Sequence, residues 1–125
     1  MKSDPHFDKS LKSIRRLCAK RNFDRALREL DRLIAINPSV PFLWNMRGDL
    51  LQVAPNSRSR STLRDAAVCY KRALALNPKD LDAMESLAHY YDAVLGQPRL
   101  AQRYARKFIA SAKLSIDRME KIIAE

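Results

Sequence analysis

The chain has 125 residues, 46% apolar and 30% charged, enough for one core but not for two large ones. Its 24 basic and 14 acidic residues leave a net charge of +10, which attracts polyanions in general. No apolar run reaches the ~20 residues of a membrane span, the opening MKSDPHFDKS lacks the apolar segment of a secretory signal, and Cys18 and Cys69 are too few for a disulfide framework. The expected compartment is therefore the cytoplasm, and the initial Met favours a complete small protein.

The chain has only two glycines, and its six prolines are spread out. Long runs of Leu, Ala, Arg and Lys with so few breakers predict an all-α fold in a single domain over residues 1–125. Asp4-Pro5 is a helix start, with Asp as cap and Pro at the first helical position. Leu11, Ile14, Leu17 and Cys18 then form one stripe, and Asn22 is expected to close that helix. In the second helix Phe23, Ala26, Leu27, Leu30, Leu33 and Ile34 recur at three and four. It stops at Asn37-Pro38, because the residue before a proline disfavours the α region.

The third helix carries Phe42, Leu43, Trp44, Met46, Leu50 and Leu51 and fades at Ala54-Pro55. A polar stretch, NSRSRS, follows from Asn56 to Ser61. Thr62 with Asp65 three residues on reads as a capping box for a fourth helix that runs to Leu76 and stops at Asn77-Pro78. Asp80 caps the fifth, which bears Leu81, Met84, Leu87, Ala88, Tyr91 and Leu95 and ends at Gly96. Pro98 opens the sixth. No breaker interrupts it before Glu125, so it runs long or breaks softly near Ser115.

Two helix ends rhyme: LIAINP, from Leu33 to Pro38, and ALALNP, from Ala73 to Pro78, forty residues apart. Six helices with short connections make three hairpins, each with an apolar face too wide to bury alone, which stacking would cover. In the middle hairpin Trp44, Gly48 and Leu51 are followed by Ala66, Tyr70, Ala73 and Pro78. This resembles the tetratricopeptide repeat (TPR), with its W-x2-L-G-x2-Y, A-x3-F and closing P. In the first unit Ala26, Leu30, Leu33 and Pro38 match the second-helix spacing, but Ser10 and Ile14 stand where Trp and Gly belong. In the third unit Ala101, Ala105 and Phe108 exchange the two sizes. The resemblance covers residues 7–114. It implies a right-handed superhelix with repeats at about 7–40, 41–80 and 81–114, and a capping helical extension at 115–125. The middle unit exceeds the usual ~34 residues by a loop insertion at 54–61 that carries Arg58 and Arg60 between serines, which reads as a solvated loop, a nucleic-acid contact, a modification site or a partner-specific finger.

The family's use follows from its shape. Stacked first helices line a concave groove that holds a peptide or helix of a partner, which makes the expected function a non-catalytic protein-protein interaction module, a scaffold or adaptor. The groove-facing residues the resemblance implies are Asp8, Leu11, Arg15 and Cys18 on the first helix, Phe42, Asn45, Asp49 and Gln52 on the third, and Asp82, Glu85, His89 and Asp92 on the fifth. The last set lies in the chain's one acidic segment, residues 79–98, with four acidic groups against one basic. That wall would suit a segment of basic or mixed charge, while a solvated helix face explains the same charges. Families that clamp a C-terminal carboxylate need Lys, Asn and Arg at stations where this chain has Leu11, Asn45 and Glu85, so that ligand is not expected.

No catalytic set, phosphate loop or cofactor motif is legible, and one His among three carboxylates is a poor zinc site. The rival reading is a basic nucleic-acid-associated helical-repeat protein, supported by the net charge, by IRRLCAKR (Ile14 to Arg21) and by the arginines of the loop. Against it, Trp44, Tyr70 and Phe108 are committed to packing, which leaves few stacking platforms. Beyond the third unit, Ile116, Met119 and Ile123 continue an apolar stripe with Phe108, Ile109, Ala112 and Ile122. It reads either as a cap packed on the last hairpin or as an interface, such as a homodimer contact.

Overall fold

The computed structural model describes residues 5–54 and 60–125. The described residues form six α-helices: α1 (Pro5–Ala19), α2 (Phe23–Ile36), α3 (Pro41–Val53), α4 (Arg60–Leu76), α5 (Leu81–His89) and α6 (Pro98–Ala124). A π-helical turn, Tyr90–Val94, extends α5. Each helix packs against its neighbours in the chain, and α3 also touches α5. No strand occurs among the described residues, and no described helix is long and apolar enough to cross a membrane.

The two rhyming phrases end their helices identically. Asn37 N–H donates to the Leu33 carbonyl and Asn77 N–H to the Ala73 carbonyl, both at 2.9 Å. Each Asn-Pro then opens a tight turn that feeds the next helix at Pro41 or Leu81. The two following starts differ. Pro41 occupies the first turn of α3, where its missing N–H costs nothing. At α5 the Asp80 carboxylate accepts from Ala83 N–H at 3.1 Å, a cap that contributes about 1 kcal/mol.

Three local expectations are corrected. The end of α1 turns at Arg21, not Asn22: Arg21 has φ +59°. Its N–H bonds the Cys18 carbonyl at 2.9 Å, and Asn22 N–H bonds Leu17 at 2.9 Å. These are the paired bonds of a left-handed helix closure, in which glycine is usual and arginine is strained. Helix α4 begins at Arg60, so Thr62 lies inside it rather than capping it. That start takes Arg60 and Ser61 out of the expected 54–61 loop, of which residues 55–59 lie outside the described residues. Of the two arginines assigned to that loop, Arg58 lies outside the described residues, and Arg60 opens α4 with its side chain likewise outside them.

Two clusters make the core. The first, from α1, α2 and α3, holds Leu11, Ile14, Ala26, Leu30, Leu33, Ile34, Leu43 and Leu50. The second spans α3 to α6 and holds Leu51, Ala66, Ala67, Cys69, Leu87 and Ala101 with Tyr70, Tyr90, Tyr91 and Tyr104. Leu27 and Trp44 pack against both. Gly48 is where α3 and α4 meet most tightly: a Cβ there would stand 2.5 Å from Cε1 of the buried Tyr70 ring. The small residue of α3 therefore makes room for the large one of α4.

The C-terminal extension does not pack down as a cap. Helix α6 is unbroken for 27 residues, whereas α5 and its π turn offer 9 and 5 residues to lie against. Ala101 and Tyr104 are buried near its start. Ile116, Met119, Ile122 and Ile123 are exposed, Ile123 by 84%. The helix outruns its partner, so nothing among the described residues covers the stripe.

Candidate functional site

Four residues expected to face a common groove do meet. Asp49 and Gln52 of α3 and Glu85 and His89 of α5 line one open cleft of about 290 Å3, with Tyr70, Ser86, Tyr90, Ala93 and Val94. The spacing explains the gathering: Asp49 and Gln52 are three apart, Glu85 and His89 four apart, so each pair shares a helix face. The contact of α3 with α5 then sets the two faces side by side.

Tyr70 connects the walls. Its hydroxyl donates to Asp49 Oδ1 at 2.7 Å and accepts from Gln52 Nε2 at 2.6 Å. Burial, then the bond and charge of Asp49, push the phenol well above the ordinary tyrosine range. The Asp49 carboxyl is also raised. Partial burial is the main cause, opposed by the Tyr70 bond and reinforced by the charge of Asp82. His89 Nε2 lies 3.8 Å from Glu85 Oε1 with both side chains exposed, a pairing that holds little energy in water. Among the described residues no lysine or arginine lines the cleft, so it is an acid-sided trough in a basic chain.

The remaining expected groove residues lie elsewhere. Asp92 is exposed and lines no part of the cleft. The π turn is wider than an α turn, with Leu95 N–H bonding Tyr90 O at 3.1 Å, and it brings Ala93 and Val94 to the wall in place of Asp92. Asn45 is buried, and its amide donates to Asp80 Oδ2 at 3.0 Å. It is a strut between α3 and the start of α5, closed to a ligand. Leu11 is a core residue and Cys18 is half-buried. Arg15 is exposed on α1. Phe42 is 42% exposed and meets Phe7 edge-to-face, with centroids 6.1 Å apart. Asp8, Arg15 and Phe42 are therefore not part of this cleft.

Arg47 is occupied as well. Its Nε donates to Asp31 at 2.7 Å and its Nη1 to Cys69 Sγ at 3.0 Å, tying α3 to α2 and α4. Burial raises the Cys69 thiol, and the neighbouring guanidinium opposes that shift. Among the described residues no three His, Cys, Asp or Glu side chains are placed to hold a metal ion.

Tyr70, Ser86, Tyr90, Ala93 and Val94 are the cleft residues that sequence reasoning missed. Tyr70 reads as a packing residue, yet a tyrosine at a position where the repeat pattern has phenylalanine carries a hydroxyl that needs a partner. That substitution is the legible signal. No family model matches the chain, and no curated protein is similar enough to count as a relative.

Proposed function

We propose that this chain is a non-catalytic interaction module of TPR-like form, an adaptor whose α3–α5 cleft receives a peptide or helix of basic or mixed charge from a partner protein. The carrying observation is the meeting of Asp49, Gln52, Glu85 and His89 with the Tyr70 hydroxyl in one open trough that no lysine or arginine among the described residues lines. The Tyr70 bonds hold Asp49 and Gln52 in place before a ligand arrives, which lowers the ordering cost of binding. A carboxylate on each wall, Asp49 and Glu85, favours a cationic segment and disfavours an acidic one. The neighbour-to-neighbour helix contacts and the matched Asn-Pro stops support the repeat reading.

The test is fluorescence anisotropy with labelled helical peptides graded from acidic to basic. Basic peptides should bind preferentially. Glu85→Lys should weaken them by about tenfold, the equivalent of ~1.4 kcal/mol. Asp92→Lys makes the same change in net charge outside the cleft and should leave affinity unchanged. Equal losses from both variants, or no preference for basic peptides, would remove the proposal. A parallel titration with single-stranded RNA addresses the nucleic-acid alternative: tighter binding that falls steeply with salt would transfer the function to the basic helices.

A further inference from the structure

The uncovered end of α6 has a periodicity of its own. Ile109, Ala112, Ile116, Met119 and Ile123 follow one another at steps of three, four, three and four. That is the seven-residue repeat of a coiled-coil seam, which Phe108 and Ile122 flank on one side. Four of these five are apolar side chains more than half exposed: Ile109, Ile116, Met119 and Ile123. The seam runs for two heptads, and its outer part, from Ala112 to Ile123, is about 18 Å long at ~1.5 Å per residue.

Charge says what fits there. Residues 109–125 carry Lys113, Arg118 and Lys121 against Asp117, Glu120 and Glu125. The segment is neutral in a chain of net charge +10, so two copies of it approach without the repulsion that the other helical faces would impose. We propose that α6 pairs with the same helix of a second copy, antiparallel, through the seam Ala112–Ile116–Met119–Ile123.

Direction and register follow from two complementarities. Placing Ile116 opposite Met119 of the second copy puts Ala112 opposite its Ile123, small against large, on both sides of the twofold axis. In the same register Lys113, which follows Ala112, flanks Glu120 of the second copy, which follows Met119. Two such ion pairs form, one for each copy. Parallel pairing would instead set Ser115 beside Glu120 and Phe108 beside Lys113, with no opposite charges. The antiparallel arrangement also directs the two helical bodies to opposite ends of the seam, where they do not collide. This interface is independent of the α3–α5 cleft.

Sedimentation equilibrium of the full chain over a concentration series tests it. The expected result is a reversible dimer that Ile116→Asp weakens at least tenfold, with circular dichroism unchanged because the side chain is exposed. Lys113→Glu and Glu120→Lys should each weaken the dimer as well. Combining both changes in one chain should restore it, as should mixing the two single variants, since either operation recreates opposite charges across the seam. A species that stays monomeric up to about 1 mM, or a dimer indifferent to Ile116→Asp, would overturn the proposal. A dimer lost in both single variants but not recovered in the double variant would overturn the antiparallel register.

Discussion

The core shared by α1, α2 and α3 is aliphatic, built from leucine, isoleucine and alanine, whereas the core shared by α3 to α6 contains all four tyrosines of the chain. In the first, the buried side chains are apolar throughout, and the polar ties between its helices, Ser13 to Glu29 and Arg47 to Asp31, lie outside the buried cluster. In the second, the rings form a continuous ladder. Tyr70 meets Tyr90 edge-to-face at 6.2 Å, Tyr90 meets Tyr91 at 6.4 Å, and Tyr91 stacks on Tyr104 at 5.7 Å. A buried tyrosine brings a hydroxyl that must be satisfied or paid for. At Tyr70 that obligation is met at the mouth of the cleft, which is why the candidate site grows from the tyrosine core and not from the aliphatic one.

Leu30→Ala would break the aliphatic side most severely. Leu30 is fully buried, and truncation there should cost about 2–5 kcal/mol, read as a lower urea midpoint with an unchanged slope. A smaller effect is expected where the two helices of the middle hairpin cross. Gly48→Ala forces its new methyl against the Tyr70 ring. The overpacking costs about 1–3 kcal/mol, of which better helix propensity returns about 1 kcal/mol. If the Tyr70→Ala background abolishes that cost, the ring is the cause; if it persists, the close approach is not what Gly48 serves.

The smallest effects distinguish the tyrosines from one another. Tyr70→Phe leaves Asp49 and Gln52 without their shared hydroxyl and should cost about 1 kcal/mol. The Tyr90 hydroxyl is buried with no hydrogen-bond partner among the described residues, and burial pushes its phenol up to about 12. Tyr90→Phe should therefore be neutral or slightly stabilising, because it removes an unsatisfied group. Equal penalties at the two positions would show that ring packing, not hydroxyl bonding, separates this core from the aliphatic one.

Much of the helical framework was legible because its signals are local. The Asn37-Pro38 and Asn77-Pro78 stops, the Asp80 cap and the Pro98 start each act within one turn, and each falls where the structure has a helix end. Arg21 was not legible: a non-glycine residue in the left-handed region is unfavourable by itself and is imposed by how α1 meets α2. The cleft was half legible. The resemblance to the repeat family put Asp49, Gln52, Glu85 and His89 on helix faces that the structure brings into one cleft. It assumed an unbroken α period through α5, and the π turn at Tyr90–Val94 defeats that assumption for Asp92. It also read Asn45 as outward, when its amide is drawn inward by Asp80, a contact between residues thirty-five apart. The fate of the α6 stripe depends on the relative lengths of two helices, which periodicity within one of them does not contain.

Leu27 and Trp44 are half-buried side chains that touch both cores. In a series of neighbour contacts, such shared residues decide whether the parts melt as one unit or as two. Trp44 is fixed there by its indole N–H, which donates to the Pro38 carbonyl at 2.8 Å, and by Arg72 over its ring at 5.8 Å. It is also the chain's single tryptophan. The natural fluorophore therefore sits on the joint between the cores, and its emission follows their cooperativity rather than the loss of either one alone.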